Sequence, residues 1–240
     1  MAETISFSSG SFSAGTNPQP GSNGVVVEGQ NGVFTLSTQK NTPIVNLGIQ
    51  GDGEKQDLSF LSDTPVTLKG FTANLEGGDD SLFIGGKTRR DSSMNFGKGG
   101  DSVETEGGIR RTELNGNRGK DDFLLNSEGK FVAVDSQIDM GKGNDTLVFG
   151  GSVKDVDVNL GSGSDKVEFQ GNINGVKLNL GEDGEVDKVR IAEDADIKGL
   201  VITGADESDL LFIGSTEYSY DSNNNLWVNS SDPNDTRNFS

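Results

Sequence analysis

An aspartate recurs at Asp57, Asp80, Asp101, Asp121, Asp145, Asp165, Asp187 and Asp209, at intervals of 20 to 24 residues. That period constrains the fold more than any other feature of the chain. The unit is plainest in GKGNDTLVFG, Gly141 to Gly150, and returns as GSGSDKVEFQG from Gly161. Its first half is a turn, because Gly141 and Gly143 accept left-handed φ angles that other residues avoid. Its second half is a strand, with Leu147 and Phe149 on one face and Val148 on the other.

Two residues after each marker stand Ser59, Leu82, Val103, Phe123, Leu147, Val167, Val189 and Leu211, and four after stand Leu61, Ile84, Thr105, Leu125, Phe149, Phe169, Ile191 and Ile213. A second pair of columns precedes the turns. It is read as Leu75, Phe96, Leu114, Met140, Leu160, Leu180 and Ile202, with Ala73, Met94, Thr112, Ile138, Val158, Leu178 and Leu200 two residues earlier. Alternation at period two, broken by glycine at the corners, argues strand and not helix. A unit this small cannot bury its own apolar face, so the units must stack. The expectation is an all-β chain: a single-stranded, right-handed parallel β-solenoid, or β-helix, of about eight coils of about 22 residues, closed by β-hairpin caps. An antiparallel sandwich also has many short strands between turns, but has no reason to hold an aspartate and two apolar columns in register. No proline occurs between Pro65 and Pro233, as a stack needing each backbone N–H for the next coil requires.

Only 31% of residues are hydrophobic and 35 are glycine; scattered, they would suggest disorder, but their columns suit a narrow core. The net charge of −18 disfavours nucleic acid and anionic membranes as partners. Histidine and cysteine are absent, which removes disulfides, thiolate chemistry and conventional zinc, haem or copper sites. No apolar run reaches the length of a membrane span, and MAETISFSSG has neither the basic nor the apolar region of a secretory signal.

In chain order, residues 1–23 read as a flexible arm rich in Ser, Gly, Asn and Pro, in which Ile5, Phe7 and Phe12 are candidates for docking on a partner. Residues 24–46 read as an N-terminal β cap built on a hairpin around GQNG, residues 47–213 as the solenoid, and residues 214–240 as a C-terminal hairpin cap and tail in which Trp227 seals the last coil. The turns Asn115 to Asp121 and Gly181 to Asp187 read as two residues longer than the rest and are expected to protrude.

The strings GKGGD, GKGND and GSGSD, ending at Asp101, Asp145 and Asp165, and more weakly GGDDSLFIGG at Gly77 to Gly86, resemble the RTX or haemolysin-type calcium-binding repeat, GGxGxDxUx. The resemblance covers about residues 70–170. It implies calcium held between successive turns, with Asp80 paired to Asp101 and Asp145 to Asp165, a chemistry that suits a cation wanting six or more oxygens. The chain departs from the repeat in having one such turn per coil and in lacking the first glycine of the GG pair. Glycine and aspartate also serve turn geometry without any metal, and the sequence leaves both readings open.

Nine residues after four markers stand Arg89, Arg110, Lys130 and Lys154, with Arg90 and Arg111 after the first two. Stacking would bring them roughly 5 Å apart in a column. Such a column either pairs with Asp91, Glu113 and Asp155 or forms a docking stripe for an acidic surface. An enzyme is not expected, because a sugar-cleaving β-helix wants convergent acids and aromatic platforms. The expected function is a structural or decoration protein of a larger assembly, on a virion capsid or tail surface, with other protein subunits as partners. The alternative is a calcium-binding, RTX-like secreted or cell-surface protein.

Overall fold

A computed structural model describes residues 3–8, 11–14, 25–30, 33–38, 43–51, 53–60, 66–127 and 129–240, with side chains from residue 43 onward. The described residues contain no helix. Parallel coils stack in register to form a β-solenoid of about eight turns, whose strands make one 12-stranded and one 13-stranded sheet. In each regular coil a long strand of the first sheet leads through a glycine turn into a four-residue strand of the second, and a second turn leads back.

The inward columns are those that a period-two pattern facing a narrow core should give. Leu58, Leu82, Val103, Phe123, Leu147, Val167, Val189 and Leu211 follow one another rung by rung and are buried. Phe149 and Phe169 stack with ring centroids 5.0 Å apart. Across the core run Met94, Leu114, Ile138, Val158, Leu178 and Ile202.

Several expected registers shift. Asp57 pairs with Ser81, so Gln56, not Asp57, stands opposite Asp80, and Leu58 and Phe60 rather than Ser59 point inward; Leu61 lies outside the described residues. Leu114 pairs with Met94 and Ile202 with Leu178, so both belong two residues earlier in the repeat than the spacing suggests. Gly116 takes the place matching Phe96. The turn ending at Asp121 is of regular length, since Lys98 pairs with Arg118, and Asn117 adopts a left-handed φ of 77° where Gly97 has 101° in the coil before. The extra residues of that coil lie on its far side, in the loop between Leu125 and Phe131 and in a bulge between Phe131 and Ala133. The turn Gly181 to Asp187 is longer, as expected.

The long strands of the first sheet bend at a stacked corner of left-handed residues, Asp91, Arg111, Asp135, Asp155, Gly175 and Gly199, with φ from 49° to 68°. A single left-handed residue turns an extended chain without ending its ladder.

Both ends are closed. Glu3–Ser8 lies parallel to Leu47–Gln50 and pairs antiparallel with Ser11–Ala14, while Val33–Thr38 lies parallel to Asp57–Phe60 and pairs with Val25–Gln30. Residues read from composition as part of a flexible arm thus form a strand pair on the first sheet. The side chains of Ile5, Phe7 and Phe12 lie outside the description. At the other end, Thr216–Asp221, Leu226–Asn229 and Thr236–Arg237 continue the second sheet antiparallel. Trp227 and Tyr218 are buried there, which seals the last coil.

Candidate functional site

The aspartates that mark the period form a buried ladder. Each lies at the start of a second-sheet strand, where its backbone N–H faces the next coil, and the next coil's carboxylate accepts it. Asp80 N–H donates to Asp101 Oδ1, Asp101 N–H to Asp121, Asp121 N–H to Asp145, Asp145 N–H to Asp165 and Asp165 N–H to Asp187, all at 2.8 Å. The backbone N–H of Gln56 starts the ladder on Asp80, and Asp187 N–H ends it on Asp209, whose Oδ2 accepts from Asp206 N–H. No carboxylate in the ladder is more than 2% exposed.

The second oxygen is different. Oδ2 of Asp80, Asp101, Asp121, Asp145, Asp165 and Asp187 is buried without a hydrogen-bond partner. Next to Asp121, Oδ2 and the carbonyl oxygen of Met140 both lie within 2.6 Å of the point where a Gly116 Cβ would stand. Two acceptors turned on one small space want a proton or a cation. Burial pushes these carboxyls up: Asp101, Asp121 and Asp209 to about 6, Asp80, Asp145 and Asp165 to about 7, and Asp187 to about 8. The N–H donated to Oδ1 opposes the shift in each case, and neighbouring carboxylates add to it in part.

Calcium was expected between Asp80 and Asp101 and between Asp145 and Asp165. These side chains stand one above another beneath the turns, and each has one oxygen engaged by backbone and one unpartnered. A cation wanting six or more oxygens would find a carbonyl close to a free Oδ2 at Asp121, but among the described residues no three acids gather at one point. The acids at the solvent side of the turns are also engaged: Asp79 accepts from Gly100 N–H, Asp183 from Gly163 N–H and Asp206 from Gly184 N–H.

The bend in the first sheet creates an open groove of about 850 Å³ running along the stack. Asp91, Arg111, Asp135, Asp155 and Lys177 line it, with Ser92, Thr112 and Ser136 at its floor. Beside it runs the corner column of cations: Lys69, Arg89 and Arg110 follow one another, Val134 takes the next rung, and Lys154 the one after. Lys130 is not in the column, because the added residues before Phe131 and the bulge after it together move the register by four; its ammonium instead lies 5.1 Å from the ring centre of Phe131. Asp135 lies 3.7 Å from Arg110 and Asp155 3.5 Å from Lys154. Arg89, Arg90 and Arg111 are exposed, and no ion pair within 4 Å engages them among the described residues.

A second cationic column lies on the turn edge, where Lys98 pairs with Arg118, Arg118 with Lys142, and Lys142 with Ser162. This column lies outside the sequence expectations, although the same markers reveal it: each cation stands three residues before its aspartate.

The chain matches no protein-family model, no curated protein and no solved structure.

Proposed function

We propose that this chain is a non-enzymatic structural or decoration protein of a larger assembly, displayed on a virion capsid or tail. On this reading it is a rigid acidic rod that meets other protein subunits through Arg89, Arg90, Arg110, Arg111 and Lys154 and through its N-terminal segment. One observation carries the reading: the carboxylates that recur with every coil are buried and bonded to the backbone of the neighbouring coil. The repeat is therefore explained by building the rod, without a substrate. A continuous parallel ladder closed at both ends suits a stiff spacer, and exposed arginines at rung spacing suit carboxylates on a partner surface.

The test is location. An antiserum against the purified chain should label assembled virions of the source, and the double variant Arg89→Glu, Arg110→Glu should incorporate less than the natural chain. Label confined to unassembled protein would contradict the reading. A calcium-binding, RTX-like secreted or cell-surface protein is the second reading, favoured by the unpartnered Oδ2 atoms of the ladder. It requires that folding depend on calcium.

A further inference from the structure

Charge is distributed unevenly along the rod. Residues 87–154 hold eleven of the twenty lysines and arginines against eleven acids, whereas residues 155–240 hold six against eighteen. On the turn edge this unevenness becomes a pattern. Arg118 with Lys120 occupies one rung, Lys142 the next and uncharged Ser162 the next. Glu182, Asp183 and Glu185 follow, and then Asp206 and Glu207. The hydrogen bonds from Gly163 N–H to Asp183 and from Gly184 N–H to Asp206, at 2.7 and 3.0 Å, fix these acids in the same stack as the cations. All but Asp206 of these charged residues are exposed, and no ion pair within 4 Å engages any of them among the described residues.

The order is symmetric about Ser162 with the sign reversed: Lys142 lies one rung to one side and Asp183 one rung to the other, while Arg118 and Asp206 lie two rungs away. We propose that the turn edge is a self-complementary surface that binds a second copy of this chain, antiparallel, about a two-fold axis at the Gly161 to Asp165 turn. A two-fold interface makes each contact twice. Lys142 of one copy meets the Asp183 loop of the other, Arg118 and Lys120 meet Asp206 and Glu207, and the same pairs form on the far side of the axis. The uncharged sequence GSGS lets the two edges approach at the centre. Each rung spans about 4.8 Å, so cations and acids stay in step because the stack is regular. The edge is narrow and polar, so the association is salt-sensitive rather than permanent. This pairing goes beyond the assembly role and is read independently of it.

The experiment is sedimentation velocity of the full chain at about 50 mM and about 500 mM salt, which shortens the screening length roughly threefold. The natural chain should be dimeric at low salt and monomeric at high salt. The variant Arg118→Glu, Lys120→Glu, Lys142→Glu should be monomeric at low salt, as should the variant Glu182→Lys, Glu185→Lys, Glu207→Lys. An equimolar mixture of the two should dimerise, because each reversed patch then meets its opposite. Recovery in the mixture also excludes misfolding as the cause of the monomers. A natural chain monomeric at low salt, a dimer indifferent to salt and to both reversals, or a mixture that stays monomeric while each variant keeps the natural thermal melt overturns the pairing. None of these results bears on the labelling of virions.

Discussion

At the scale of the residue, the aspartate ladder does two things with one side chain. Oδ1 accepts an N–H that the corner would otherwise leave unpaired, which is why the position recurs in seven coils from Asp80 to Asp209. From Asp80 to Asp187 Oδ2 meets no donor, and burial holds the ladder's carboxyls at about 6 to 8, against roughly 4 in the unfolded chain. The folded state therefore binds protons more tightly than the unfolded state. This stabilisation is complete below roughly pH 4 and is lost as pH rises through the folded values of about 6 to 8. The melting temperature should fall by on the order of 10 °C between roughly pH 5 and pH 9. Asp145→Asn keeps an oxygen for Asp121 N–H and adds a donor where Oδ2 had none, so it should melt as high as the natural chain at acid pH and higher at alkaline pH. Asp145→Ala strips the acceptor from Asp121 N–H and should cost about 1–3 kcal/mol at either pH. A melt of Asp145→Asn that falls with pH as steeply as the natural chain's would contradict a proton-holding role for that rung.

At the scale of the coil, close approach of backbones sets the sequence. A Cβ on Gly143, where φ is 153°, would stand 1.4 Å from the carbonyl oxygen of Gly119 in the coil below. Gly143→Ala should therefore push two coils apart and lower stability by more than about 3 kcal/mol in a urea titration; a loss under about 1 kcal/mol would mean that the turns do not stack this tightly. Contacts of this kind made the solenoid legible in the sequence, because they repeat glycine, aspartate and two apolar residues in every coil. The caps were legible too, from hairpin patterns at Val25 to Leu36 and at Tyr218 to Val228. Insertions were not, because a repeat marker reports only the length of a coil and not where the added residues lie. Those of the coil after Asp121 fall on the far side from the turn, which moved Lys130 out of the cationic column and put Val134 in its place. Leu114 stands two residues earlier in the repeat for a related reason: Gly116 occupies the position of Phe96, and Asp121 Oδ2 crowds the space. The inward direction of the aspartates was hidden as well, since GxGxD reads the same whether the carboxylate turns to solvent or to the core.

At the scale of the whole molecule, the chain is a capped rod with its cations gathered in the middle coils and its excess acid toward the C-terminal end. Such a rod carries surfaces at fixed spacing, and its two cationic columns lie on different edges, one at the corner and one at the turns. If backbone ladders, apolar columns and protonated aspartates hold the coils together, the solenoid needs no metal to fold. The most direct test is a circular dichroism thermal melt of the purified chain in EDTA near pH 6, repeated with millimolar calcium. The chain in EDTA should show a β-rich, cooperative unfolding transition, moved by less than about 2 °C when calcium is added. A chain that is disordered in EDTA and folds only on adding calcium would contradict metal-free folding, and would make the ladder from Asp80 to Asp187 a set of metal ligands.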